Sequence, residues 1–180
     1  MSNKQKATFG AWVAAIGTVL AAIGSTPIKR IPEDTLEAFS LIGNEMQGTG
    51  NALQADAIDG FSLTKAGNQI QAIGNSTVIA GLLIDFNVIV KQELNIKGNL
   101  MQALGGGAAL GESFSKEHTT EELFSIYGNL LQIIGNSLQA ISGILELNGK
   151  DSGKLDVVGS WIQAIGAIIS ALVQTEASMT

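Results

Sequence analysis

The apolar positions of this chain neither alternate nor follow the simple stripe of an ordinary surface helix. They fill the spaces between glycines that return every seventh residue, as in Tyr127-Gly128-Asn129-Leu130-Leu131-Gln132-Ile133-Ile134-Gly135-Asn136-Ser137-Leu138-Gln139-Ala140. In that stretch an asparagine follows each glycine and a glutamine stands four residues after it. Glycines at this spacing recur at Gly10/Gly17/Gly24, Gly43/Gly50, Gly67/Gly74/Gly81, Gly98/Gly105, Gly128/Gly135 and Gly159/Gly166. A phrase that returns at a nearly fixed period marks a repeat-built architecture, with one supersecondary unit per repeat. The four middle units keep the Gly-Asn pair and its glutamine (Gln47, Gln71, Gln102, Gln132). The two terminal units carry Trp12 and Trp161 instead, with Ala11 or Ser160 in place of asparagine. Such divergence suits capping repeats, or two helices that pair with each other.

A helical wheel gives the phrase physical content. With glycine at the origin and steps of about 100° per residue, asparagine falls at about 100° and glutamine at about 40°. Leu130, Leu131 and Ile134 lie at about 200°, 300° and 240° on the same wheel. Each middle helix therefore has a broad apolar face and a narrow, uncharged amide stripe bordered by glycine. Helix punctuation falls between the units: Asp34 or Thr35 can cap the second, Thr119 with Glu122 has capping-box spacing, and Asn148-Gly149 is a stop. The pattern predicts six helices over 7–24, 35–58, 62–85, 88–112, 119–147 and 155–175, joined by polar turns in a single domain over 1–180.

The glycines need compensation. Each costs about 1 kcal/mol against alanine inside a helix, so the heptad set together approaches the whole stability of a domain. Close approach of neighbouring backbones supplies the offset, and heptad spacing suits nearly antiparallel helices with a left-handed crossing. The expected fold is all-α, a six-helix antiparallel bundle with close, Alacoil-like glycine packing. A solenoid of short strands turning at each Gly-Asn is the rival, disfavoured by the alanine, leucine, glutamine and methionine between the glycines. The packing or self-association residues are expected to be Gly17, Gly50, Gly67, Gly74, Gly98, Gly105, Gly128, Gly135 and Gly166. With them go the amides Asn68, Gln71, Asn75, Asn129, Gln132, Asn136 and Gln139, and the tryptophans Trp12 and Trp161. The amide stripe reads equally as a weakly solvated outer face and as a hydrogen-bonded ladder between helices or subunits.

The phrases Gly159-Ser160-Trp161-Ile162-Gln163-Ala164-Ile165-Gly166 and Gly128-Asn129-Leu130-Leu131-Gln132-Ile133-Ile134-Gly135 resemble those of repetitive, uncharacterised proteins of bacilli and related Gram-positive bacteria. The resemblance covers most of the chain. It implies a bacterial source, brings no activity, and transfers no functional residue.

Charge and composition narrow the function classes. Apolar residues make up 46% of the chain but charged residues only 14%, and the net charge is −6. That balance disfavours nucleic acid, which needs a basic face. Without cysteine there is no disulfide framework and no thiolate metal site. His118, the single histidine, stands in Ser115-Lys116-Glu117-His118-Thr119 without partners at metal-ligand or catalytic spacing, and reads as a loop residue. Glu121-Glu122 reads as helix-start acid rather than a catalytic pair. Gly105-Gly106-Gly107 lacks the lysine and hydroxyl of a phosphate loop and reads as a helix break or very close packing. Asp56-Ala57-Ile58-Asp59-Gly60 lacks the acidic closing ligand of a calcium loop. No cofactor, metal or catalytic residue is expected.

Lys4 and Lys6 before an uncharged run could pass for a signal peptide, but the run echoes the C-terminal repeat and reads as a helix of the fold. Uncharged windows at 7–28, 66–84, 123–145 and 157–175 reach or approach membrane-spanning length. Two of them, 66–84 and 123–145, each carry four Asn or Gln. The expectation is a non-enzymatic structural protein, cytoplasmic, that associates with itself through glycine- and amide-lined helix faces. A membrane-active helical protein, inserting or pore-lining, is the alternative, and an apolar small-ligand carrier comes third.

Overall fold

Local chemistry sets the helix ends. In the computed structural model, which describes residues 1–115 and 119–179, α1 (Asn3–Ser25) opens on a capping box. The Ser2 hydroxyl accepts from the Gln5 N–H while the Gln5 side chain accepts from the Ser2 N–H. This box starts the helix four residues ahead of the expected 7 and puts Lys4 and Lys6 in its opening turns. There follow α2 (Glu33–Asp56), α3 (Leu63–Leu83), α4 (Val88–Ser113), α5 (Thr120–Leu147) and α6 (Leu155–Met179). Ser62, Asn87 and Thr119 cap α3, α4 and α5 by accepting from the N–H groups of Lys65, Val90 and Glu122. Helix α2 departs from expectation, because neither Asp34 nor Thr35 caps it. It starts on Pro32, whose ring holds φ at −57°, and leaves Glu33 and Asp34 in the first turn beside the positive end of the helix dipole. The stop at Asn148 is completed by Gly149, with φ at +68°. His118 lies outside the described residues.

Among the described residues, the backbone of each helix packs on its chain neighbours, and α6 returns onto α1. The result is a closed ring of six alternating helices, built as three hairpins (α1–α2, α3–α4, α5–α6). No strand occurs among the described residues. The uncharged N-terminal run is a full member of the ring, and Lys6 ties α1 to Asp56 of α2.

Within each hairpin the helices touch backbone to backbone at two glycine pairs: Gly10/Gly50 and Gly17/Gly43, Gly67/Gly105 and Gly74/Gly98, Gly128/Gly166 and Gly135/Gly159. A Cβ built on any of these twelve glycines would lie within 3.0 Å of the carbonyl oxygen of its partner glycine. Alanine fits at none of them without spreading the hairpin. Gly105-Gly106-Gly107 does not break α4: Gly105 meets Gly67, Gly106 faces Ile133 of α5, and Gly107 faces open space.

Turning the glycine edge inward carries its neighbours inward too. The buried positions are mostly alanines (Ala15, Ala22, Ala140, Ala164, Ala171), small hydroxyls (Thr18, Ser142, Ser160) and amides, joined by Val78, Ile96, Leu110 and Ile126. The largest side chains below 2% exposure are Asn75, Asn136 and Ser142, so among the described residues no leucine, isoleucine or aromatic reaches that depth. The large hydrophobes sit between the helices or face outward, with Ile134 at 46% exposed and Leu104 at 64%. The middle of the wheel's apolar face, at Ile134, thus points outward, while Leu130, Leu131 and Ile133 at its edges are half-buried between helices.

Two alanine substitutions separate the roles of the glycines. Gly135→Ala places a methyl 2.5 Å from the Gly159 carbonyl and 2.6 Å from the Gln163 nitrogen; we expect a net loss of about 1–3 kcal/mol. Gly107→Ala meets nothing within 4 Å and should gain up to about 1 kcal/mol from helix propensity. Denaturant unfolding of both variants reads the difference.

Candidate functional site

The centre of the ring is held by amides. Gln163 of α6 donates through Nε2 to Oε1 of Gln47 on α2 at 2.9 Å and of Gln102 on α4 at 3.2 Å. It accepts from Gln139 Nε2 of α5 at 3.0 Å. One side chain therefore joins four helices without burying a charge, which an amide can do because it donates and accepts at once. Across α5–α6, Gln132 Nε2 donates to Ser170 Oγ at 3.1 Å. Asn75 and Asn99 turn their Nδ2 groups back to the carbonyls of Gln71 and Asn95. A small cavity of about 50 Å³ lies among Asn68, Gln71, Asn129 and Gln132, enough for a water molecule or two.

The predicted packing residues are thus placed as follows. Gly17, Gly50, Gly67, Gly74, Gly98, Gly105, Gly128, Gly135 and Gly166 all lie in the hairpin pairs described above. Asn68, Gln71, Asn75 and Asn136 are buried, and Asn129, Gln132 and Gln139 are half-buried. Trp12 donates to Thr175 Oγ1 at 2.9 Å and Trp161 donates to Thr26 Oγ1 at 3.0 Å. The two indoles therefore fasten the α1–α6 seam separately and are not hydrogen-bonded to each other. The glycines and the two indole N–H groups are engaged within one chain, and the amides lie buried or half-buried along the inside of the ring. Gln163, the hub, was missed by the sequence reasoning, although its place four residues after Gly159 is the register of the other glutamines.

What the ring shows outward is one-sided. On the adjacent helices α5, α6 and α1 no charged residue occurs over 123–145, 157–175 and 7–25. Their outer positions include Phe9, Ile16, Ile134, Ile141, Ile165 and Leu172, all exposed. Among the described residues, these three are the helices long and apolar enough to cross a membrane. The opposite arc carries exposed Glu37 and Glu45 on α2 and the Glu93–Lys97 pair at 2.8 Å on α4.

The turn end of the ring, near the α1–α2 and α5–α6 turns, holds two cavities of about 590 and 560 Å³ that share Glu37, Leu82 and Glu146. Glu146 is fixed by donors from Ser142, Ser152 and Gln92. Burial pushes the neighbouring Asp156 carboxyl up to about 6, and the charge of Glu146 adds to the shift. At the other end, the Lys6 hydrogen bond and charge hold Asp56 below the usual carboxylate range. Glu121 is likewise lowered by its own backbone N–H and by Thr119. Asp59 accepts from Asn3. No group of three His, Asp or Glu among the described residues is placed to hold a metal ion. The Glu146–Asp156 pair has no local motif; it exists only because the α5–α6 turn folds one helix end against the next.

A family of unknown function, DUF6944, matches residues 5–171, and the chain belongs to it. Neither the curated proteins nor the solved structures contain a match.

Two substitutions test this arrangement. Gln163→Leu strands polar atoms of Gln47, Gln102 and Gln139 at once, and at about 1 kcal/mol each should cost about 3 kcal/mol; chemical unfolding measures it. Asp156 is a carboxyl whose folded value, about 6, lies above its unfolded 3.8. Its favourable contribution is complete below the unfolded value and is lost as pH rises through the folded one. Asp156→Asn should therefore stabilise the protein at pH 7.5 by about 1–3 kcal/mol and little at pH 3.5, which unfolding curves at both pH values would show.

Proposed function

We propose that this is a non-enzymatic structural protein that associates with itself through the outer face of α5, α6 and α1. The observation that carries the reading is that α1, α5 and α6 keep their charges at their ends and present uncharged stretches 19 to 23 residues long, while α2 and α4 carry exposed charge along their middles. A soluble monomer has no use for such a face. Three helices about 35 Å long and about 9 Å apart offer on the order of 700 Å² per copy, close to what a specific interface buries on each side. A second copy set against this face leaves Glu45 and Lys97 in water. Association thus proceeds through isoleucine and leucine, while glycine and amide build the subunit.

Insertion into a membrane is the second reading, supported by the length and apolar character of α1, α5 and α6. Small residues and amides at helix contacts are also the packing devices of membrane bundles. Against a fully immersed ring stand Glu45, Glu93 and Lys97, which would then face hydrocarbon.

Light scattering on a size-exclusion column, without detergent, tests the proposal. The expected molar mass is a multiple of 18.6 kDa, and Ile16→Glu with Ile165→Glu should weaken association at least ~tenfold while the helical circular dichroism persists. Glu45→Gln on the opposite arc should leave the mass unchanged. A monomer at high concentration overturns self-association. Protein that stays in carbonate-washed membranes and dissolves only with detergent favours insertion.

A further inference from the structure

The two cavities at the turn end of the ring belong to no part of the self-association reading. We propose that together they bind an amphiphilic cation, a molecule with an apolar alkyl or aryl body and a protonated amine. The walls are mixed in the way such a ligand requires. Ile28, Ile31, Leu36, Leu82 and Val157 supply apolar surface, and carboxylates from three helices stand among them. The charged groups facing the two cavities are Lys29 from the α1–α2 turn, Glu33, Asp34 and Glu37 from α2, Lys91 from α4, Glu146 from α5 and Asp156 from α6. Lys91 is turned toward Asp85. The acids therefore outnumber the cations, and an anion or a fatty acid is repelled.

Two of the acids are prepared for different parts of the task. Glu146 is already oriented, with Ser142 and Ser152 on Oε1 and Gln92 on Oε2. Asp156 lies beside it, partly buried, and among the described residues neither a hydrogen-bond donor nor a cation reaches its carboxylate. That burial and the Glu146 charge hold its proton until the pH passes about 6. An ammonium group between the two would relieve both causes, because it donates to Asp156 and neutralises the pair. A bare metal ion suits the site less well, since no third acidic ligand is in reach among the described residues. Each cavity has the volume of a small-molecule site, within roughly 300–1,000 Å³.

The test is isothermal titration calorimetry with octylamine on the full chain, set against octanoate and methylamine. Saturable octylamine binding at pH 7.5, weaker by several fold at pH 5, is expected, with no measurable binding of octanoate or methylamine. Asp156→Asn and Glu146→Gln should each weaken octylamine at least fivefold. Leu82→Trp, which fills the shared wall without touching a charge, should abolish binding where Leu104→Trp on outer α4 does not. Equal binding of octanoate and octylamine overturns the proposal, as does undiminished octylamine binding by Asp156→Asn or by Leu82→Trp.

Discussion

The whole structure depends on one contact, the seating of a glycine backbone against the carbonyl of a glycine in the neighbouring helix. It occurs twice in each hairpin, and it leaves no space for a methyl group. Helices drawn this close gain dispersion and weak Cα–H···O contacts along their length, which offset the propensity lost at each glycine. The spacing also dictates what can lie behind the glycines. Alanine, serine, threonine and slender amides suit the middle of so narrow a ring and make up most of the buried residues, with Val78, Ile96, Leu110 and Ile126 the larger exceptions. The larger hydrophobes are left between helices and outside.

A polar centre in a protein with few charges follows from the same geometry. Gln163 joins Gln47, Gln102 and Gln139, so that donors and acceptors are matched across the middle of the ring. The matching is incomplete, because the Oδ1 atoms of Asn75 and Asn136, at corresponding places in α3 and α5, accept no hydrogen bond. Charge appears where the ring opens, at its ends and over the α2–α4 arc. The inside therefore determines the register of the helices, the outer apolar arc is the face we propose for association, and the turn end is the site we propose for a ligand. These are three separate surfaces of one chain.

Much of the fold was legible in the residues. Glycine at heptad spacing, caps such as Thr119 and the stop at Asn148-Gly149 are local signals, and they foretell six helices. Which edge of each helix turns inward was not legible. A wheel around Gly128 gives the angle between Gln132 and Ile134 but says nothing about which of them meets water. The ordinary rule would send Ile134 inward; the space beside a glycine contact admits Gln132 instead. The start of α2 was misplaced because Pro32 competes with Asp34 and Thr35 as a helix opener, and φ settles it. Glu146 and Asp156 could not be paired from the sequence, since no periodicity records which helix ends converge at the mouth of a cavity. The tryptophans hinted at the α1–α6 closure by their shared departure from the repeat, though not at their separate threonine partners.

The inverted arrangement of amide and leucine can be read directly, because the chain has no cysteine to interfere. Single cysteines at Gln102, 3% exposed, and at Leu104, 64% exposed, differ by two positions on the same helix and lie off the α5–α6–α1 face. Maleimide labelling of the folded protein should modify Gln102→Cys slowly and Leu104→Cys at nearly the rate of a free thiol. Fast labelling at 102 with protection at 104 would put the amides outside and the leucines within, and would contradict the account.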